Sequence, residues 1–269
     1  MDAIKTVGNW RKTVEQITFQ YKDVDQLLQA LLEGHKRIFS DKLLGYYVYG
    51  SLVWGDFDEH TSDIDTLCLT DSEVTQEEMK RLRSMHEEII RKYTKWDNRI
   101  EVHYAPAEGL KRFRTTTFNM TNISPGEPLH MITADEEWID EWYLVREYAV
   151  PLFGGDPKEV IPYISSEEFV KQIKGYALGF RDRIKTCKDG YSQAYAILTV
   201  CRALYTVRTG KQTSKTAAAK WAMEFLPKYS GLLEDALARR RERDFSTLDS
   251  SENHALAEAF VNYVLNTFF

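Results

Sequence analysis

Residues Asp63-Ile64-Asp65-Thr66-Leu67-Cys68-Leu69-Thr70 form a β-prone run that opens on two carboxylates. Alternate side chains of a strand share a face, so Asp63 and Asp65 project side by side while Ile64 and Thr66 point the other way. Two carboxylates so placed repel unless a cation lies between them. A hard, oxygen-bound ion such as Mg²⁺ is the natural occupant, because it completes its shell with water and phosphate oxygens. The preceding run Tyr46-Tyr47-Val48-Tyr49 ends in Gly50-Ser51. There a glycine lets backbone approach a phosphate, and the serine hydroxyl and nearby N–H groups can donate to it. A third run, Arg99 to Tyr104, puts Glu101 on one face with Arg99 and His103 while Ile100, Val102 and Tyr104 turn to the core. If that strand lies beside the aspartate strand, three carboxylates converge. An isolated Asp-x-Asp more often keeps a strand edge soluble; the Gly-Ser turn in front of it favours chemistry. On the same reading His103 is a polar edge residue or a substrate contact, and Cys68 is core.

Around this core the chain alternates helix and strand. Apolar residues Val14, Ile17, Tyr21, Val24, Leu27, Leu28, Leu31 and Leu32 recur at helical spacing and predict a helix over 12–40. A second helix is expected at 75–93, and 113–134, rich in Thr, Asn and Pro, reads as irregular. Beyond Pro151, Gly154-Gly155-Asp156-Pro157 and Pro162, helical periodicity dominates: segments near 166–186, 192–209, 214–225, 229–243 and 252–268 follow one near 136–149. The expected organisation is therefore an α/β domain with a mixed sheet over 1–150, then an all-α helical bundle over 151–269.

Composition narrows the function classes. With 269 residues, 43% of them hydrophobic, the chain can bury a substantial core. Net charge is −6, which disfavours nucleic acid and membrane surfaces as partners and suits a cationic small molecule. Cys68, Cys187 and Cys201 fit neither a CxxC metal pattern nor a paired disulfide framework, so a reducing cytoplasm is expected. No signal-peptide core opens the chain and no long apolar run follows, so a soluble protein is expected.

The segment Gly50-Ser51 through Ser62-Asp63-Ile64-Asp65 resembles the signature of the nucleotidyltransferase superfamily related to DNA polymerase β. With Ile100-Glu101-Val102 added, the first domain resembles the aminoglycoside adenylyltransferases. The run from Ala196 to Tyr205, then Thr209-Gly210-Lys211, Ser214-Lys215 and Ala218-Ala219-Lys220-Trp221-Ala222, is similar to the C-terminal helical domain of the streptomycin and spectinomycin enzymes. The resemblance implies a nucleotidyltransferase domain over 1–150 and a helical substrate- and nucleotide-binding domain over 151–269. It implies ATP as co-substrate and Mg²⁺ held by Asp63 and Asp65, with Glu101 as the third carboxylate. Glu101 would also be the general base, and Gly50, Ser51, Ser62, Arg202 and Lys215 would face the phosphates. AMP would pass to a hydroxyl of a small acceptor in an interdomain cleft, an aminoglycoside-type antibiotic, which makes resistance the expected role. A protein or another metabolite as acceptor, or a nucleotide-sensing module without chemistry, are the alternatives. Independently of the resemblance, Ser214 is placed as an N-cap with Lys215 in the first helical turn. The chain departs from the family where antibiotic-binding members carry a tryptophan, here Phe118-Asn119-Met120-Thr121-Asn122. It departs again at Lys188-Asp189-Gly190-Tyr191-Ser192, where Asp189 is out of register with the family's acidic contacts.

Overall fold

A computed structural model describes residues 18–242 and 249–269. In chain order it contains α1 (Lys22–Phe39), β1 (Leu43–Tyr49), the short α2 (Ser51–Trp54), β2 (Ile64–Thr70), α3 (Gln76–Lys92), β3 (Ile100–Pro106) and α4 (Ala107–Arg112). The hairpin β4 (Phe118–Ser124) and β5 (Glu127–Ala134), then α5 (Ile139–Tyr148) and β6 (Val150–Phe153), complete the first part. Helices α6 (Ser166–Leu178), α7 (Phe180–Thr186), α8 (Gly190–Thr209), α9 (Lys215–Phe225), α10 (Ser230–Glu242) and α11 (Ser251–Phe268) follow. An α/β domain with a mixed sheet thus precedes a helical region, as the sequence predicts.

The six strands form one sheet in the order β5-β4-β3-β2-β1-β6. Among the described residues only β2 and β3 pair in parallel. A parallel pair needs a crossover, and α3 supplies it. Helix α3 starts firmly because Thr75 and Glu78 form a capping box: Thr75 Oγ1 accepts from Glu78 N–H, and the Glu78 carboxylate accepts from Thr75 N–H. The same carboxylate receives Lys42 Nζ at 2.7 Å. Helix α1 turns Leu27, Leu28, Leu31 and His35 inward against α3 and β1.

Several sequence expectations need correction. Within the described residues the first helix begins at Lys22, after Phe19 N–H has donated to the Asp25 carboxylate. Val14 and Ile17 lie outside the described residues. The stretch read as irregular is the β4–β5 hairpin, whose turn at Pro125-Gly126 uses the positive φ of Gly126 (+85°). Pro151, read as punctuation, sits in β6 at the sheet edge, the place in a sheet where proline is tolerated. The segment predicted over 166–186 is two helices, divided at Gly179.

The chain divides into two compact units. The first, of the described residues those up to 53 with 63–138 and 144–163, contains the sheet. The second, the described residues of 54–62, 139–143 and 164–269, is built around α8, whose Ala196, Ile197, Leu198, Val200, Cys201 and Leu204 are all buried. A helix buried nearly all round is the centre of its bundle, and α6, α9, α10 and α11 pack against it. Among the described residues no helix is long and apolar enough to cross a membrane. Cys68, Cys187 and Cys201 are buried free thiols.

Candidate active site

Antiparallel pairing of β1 with β2 brings the end of one strand, Gly50-Ser51, to the start of the other, where Asp63 and Asp65 stand. Ile64 and Thr66 are fully buried on one face, leaving the half-buried Asp63 and Asp65 on the other. Asp65 lies against the Gly50 backbone: a Cβ at Gly50 would come 1.8 Å from Asp65 Oδ2, and the glycine holds φ at +71°. No side chain fits there, so glycine is required twice over. Ser51 opens α2 beside it.

The parallel β2–β3 ladder sets Asp65 opposite Glu101. Two further bonds hold that register: Thr66 Oγ1 donates to the Glu101 carbonyl at 3.0 Å, and Ile64 N–H donates to the Arg99 carbonyl at 2.9 Å. Among the described residues no group of three or more His, Cys, Asp or Glu side chains is gathered closely enough to hold a metal. Glu101 is therefore aligned with Asp65 without closing a three-ligand cluster. The Asp63 and Asp65 pair fits Mg²⁺ by its chemistry, since that ion takes one or two carboxylates and leaves its other positions to water and phosphate oxygens.

His103 adjoins Glu101, its Nε2 3.3 Å from Glu101 Oε1. Its Nδ1 donates to Asn122 Oδ1 at 2.7 Å, and the Asn122 amide donates to Ser124 Oγ at 3.4 Å. The Trp138 ring meets the imidazole edge-on, with centroids 5.3 Å apart. The edge position expected for His103 is wrong: β3 is an inner strand, and the side chain is buried.

The remaining residues singled out from the sequence belong to the helical unit. Ser62 is buried, and its Oγ accepts from Asp58 N–H at 2.9 Å, so it closes the loop before Asp63. Burial raises the Asp58 pKa, but N–H donors from His60 and Thr61 outweigh it and hold the carboxyl below its usual value. Arg202, on α8, acts on Asp140 in the first turn of α5. Burial lifts the Asp140 pKa, against the opposing pull of its helix-start N–H groups and the Arg202 charge. Ser214 caps α9 as predicted, accepting from Ala217 N–H at 3.1 Å. Lys215 Nζ rests 4.1 Å above the Tyr195 ring centroid. Asp189 is engaged as the cap of α8, with its two oxygens on Ser192 N–H and Oγ, each at 2.7 Å.

A nucleotidyltransferase domain family matches residues 28–123, and the family described as the aminoglycoside adenylyltransferase C-terminal domain matches 159–267. The chain is an aminoglycoside adenylyltransferase-like nucleotidyltransferase. This adenylyltransferase-like enzyme is 26% identical to a spectinomycin 9-adenylyltransferase of Staphylococcus aureus over 245 residues, covering 86% of this chain and 90% of the relative. It is 22% identical to one from Campylobacter jejuni over 237 residues, covering 80% and 81%. In fold it is similar to the spectinomycin adenyltransferase of Enterococcus faecialis solved with ATP and spectinomycin, with a TM-score of 0.70, 18% identity, and coverage of 90% of this chain and 99% of that one.

Three side chains placed near the enzyme's candidate residues were not legible in the sequence. Asn122 reaches His103 only through the β3–β4 register. Trp138 lies outside the stretch where a family tryptophan is sought. Asp56, in the loop before Asp63, meets Thr216 and Arg240, which are remote in sequence. Only the Trp138-Ile139-Asp140 run, an aromatic beside an acid at a helix start, carried any local signal.

Proposed function

We propose that this enzyme transfers AMP from ATP to a hydroxyl of a spectinomycin-type aminoglycoside, in a Mg²⁺-dependent reaction. The observation that carries the reading is the apposition of Gly50, Asp65 and Glu101 across three neighbouring strand ends. Asp63 and Asp65 would hold the Mg²⁺, which neutralises phosphate charge as it builds in the transition state. Ser51 and the backbone N–H groups of its turn donate to phosphate oxygens, and Arg202 and Lys215 supply positive charge for them. Ser62 shapes the loop between these elements. Glu101 takes the proton of the acceptor hydroxyl as the new O–P bond forms and the bond to pyrophosphate breaks. The spectinomycin assignment rests on the names of the relatives. It is supported by the acidic balance of the chain, which favours a cationic drug.

Purified protein incubated with MgATP and either spectinomycin or streptomycin should show pyrophosphate release and an AMP-sized mass gain on spectinomycin, both lost on chelation. ATP binding with neither drug modified would refute the assignment of the acceptor. Glu101→Gln should retain MgATP binding and lose roughly 10²–10⁴-fold in turnover, the usual worth of a positioned base. Unchanged turnover would remove Glu101 from that role.

A further inference from the structure

The loop from Trp54 to Ser62 joins the Gly50-Ser51 turn to Asp63, yet it packs with the helical unit. Asp56 is the side chain that seats it. Its Oδ2 accepts from Thr216 N–H at 3.3 Å and from the Arg240 guanidinium at 3.2 Å. The same Arg240 nitrogen lies 3.3 Å from Thr216 Oγ1, to which it donates. Loop, α9 and α10 are thereby closed into a triangle. Thr216 is the second residue of α9, next to Lys215, and the N–H groups of a first helical turn have no partner inside the helix. A carboxylate there is favoured by the helix dipole as well. The Asp56 and Arg240 side chains are only 17% and 20% exposed, so these charge-assisted bonds are shielded from much of the screening that weakens surface pairs.

We infer that Asp56 and Arg240 form a clasp that fixes the loop running into Asp63 against the end of α9 that carries Lys215, making both of them positioning residues for nucleotide binding. The inference rests on Lys215 as a phosphate contact. Without the clasp the loop and the helix end must be ordered when nucleotide arrives, and that cost falls on nucleotide affinity. The transfer step, which neither residue touches, is little affected.

A double-mutant cycle on the full chain tests this with Asp56→Asn, Arg240→Gln and the two combined. MgATP binding is followed by calorimetry, and KM and kcat are followed with spectinomycin as acceptor. Each single variant should weaken MgATP binding about 5–10-fold with kcat within about twofold, and the double should be no weaker than either single, the signature of one shared interaction. Arg240→Lys should recover part of the loss, and it serves as the probe if the glutamine variant does not fold. Amide exchange at residues 55–61 and Thr216 should quicken in every clasp variant. Multiplying losses in the double variant, or faster exchange with unchanged MgATP affinity, would overturn the inference. If no drug is adenylylated by the wild type, the proposed reaction fails, while calorimetry and exchange still decide the clasp.

Discussion

A methyl group at Gly50 is the smallest change that reaches the carboxylates. Gly50→Ala must both leave its left-handed backbone and push Asp65 aside. Backbone strain of this kind costs about 1–3 kcal/mol. Displacing a catalytic group by about 1 Å costs on the order of 100-fold in rate. Urea denaturation and kcat should register both losses, whereas a variant with normal kcat would separate Asp65 from the chemistry. Asn122→Leu keeps the volume and removes the acceptor for His103 Nδ1. A buried donor left without its acceptor costs about 1–3 kcal/mol. Turnover should fall with MgATP affinity unchanged, because His103 adjoins Glu101; an equal loss in both would make the network merely structural. The acids were legible because two-residue periodicity and a Gly-Ser turn are local signals. The Asn122–His103 pairing was not, since it exists only after two strands have found their register.

At the level of elements, the helix starts deserve measurement first. Ser214→Ala removes the Oγ that accepts from Ala217 N–H, and loss of such a cap costs about 1 kcal/mol. The end of α9 that bears Lys215 should fray, visible as faster amide exchange at Ala217 together with weaker MgATP binding. Intact exchange protection would show that the clasp holds the turn without its cap. Strands β1 to β3 could be read from the sequence because each is a short β-prone run, and each is buried along nearly its whole length. The β4–β5 hairpin escaped because Thr and Asn fill positions that alternate with Phe118 and Met120, and only Pro125-Gly126 announced the turn. β6 escaped because proline argues against a strand, an argument that fails at a sheet edge.

For the whole molecule, acidity is the revealing variable. The Tyr104 hydroxyl lies 3.0 Å from His35 Nε2 and 2.7 Å from His86 Nε2, joining α1, α3 and β3 beneath the sheet. One hydroxyl can donate to one ring and accept from the other. Burial holds His86 down at about 4, and burial, with the repulsion of His86 once that ring is protonated, keeps His35 well below its ordinary value. Unfolded histidines titrate near 6.5. Below that pH the unfolded chain binds protons that the folded chain refuses, so stability falls as pH drops from about 6.5 towards 4. The urea midpoint should be level above about pH 7 and decline beneath it. His86→Gln should make that decline shallower, and an unchanged slope would exclude the histidine pair as its cause.

The path of the chain leaves the sheet unit after Val53, returns at Asp63, leaves again for residues 139–143, and departs finally after Tyr163. Neither unit is therefore one continuous stretch of sequence. A gene recombined once, near residue 163, would join a foreign bundle to a native loop, and Asp56 would face whatever the donor carries in place of Arg240. Viable chimeras among such enzymes should be those in which residues 54–62 and 139–143 travel with the bundle, so that descent in this fold follows three separate patches of sequence instead of one boundary.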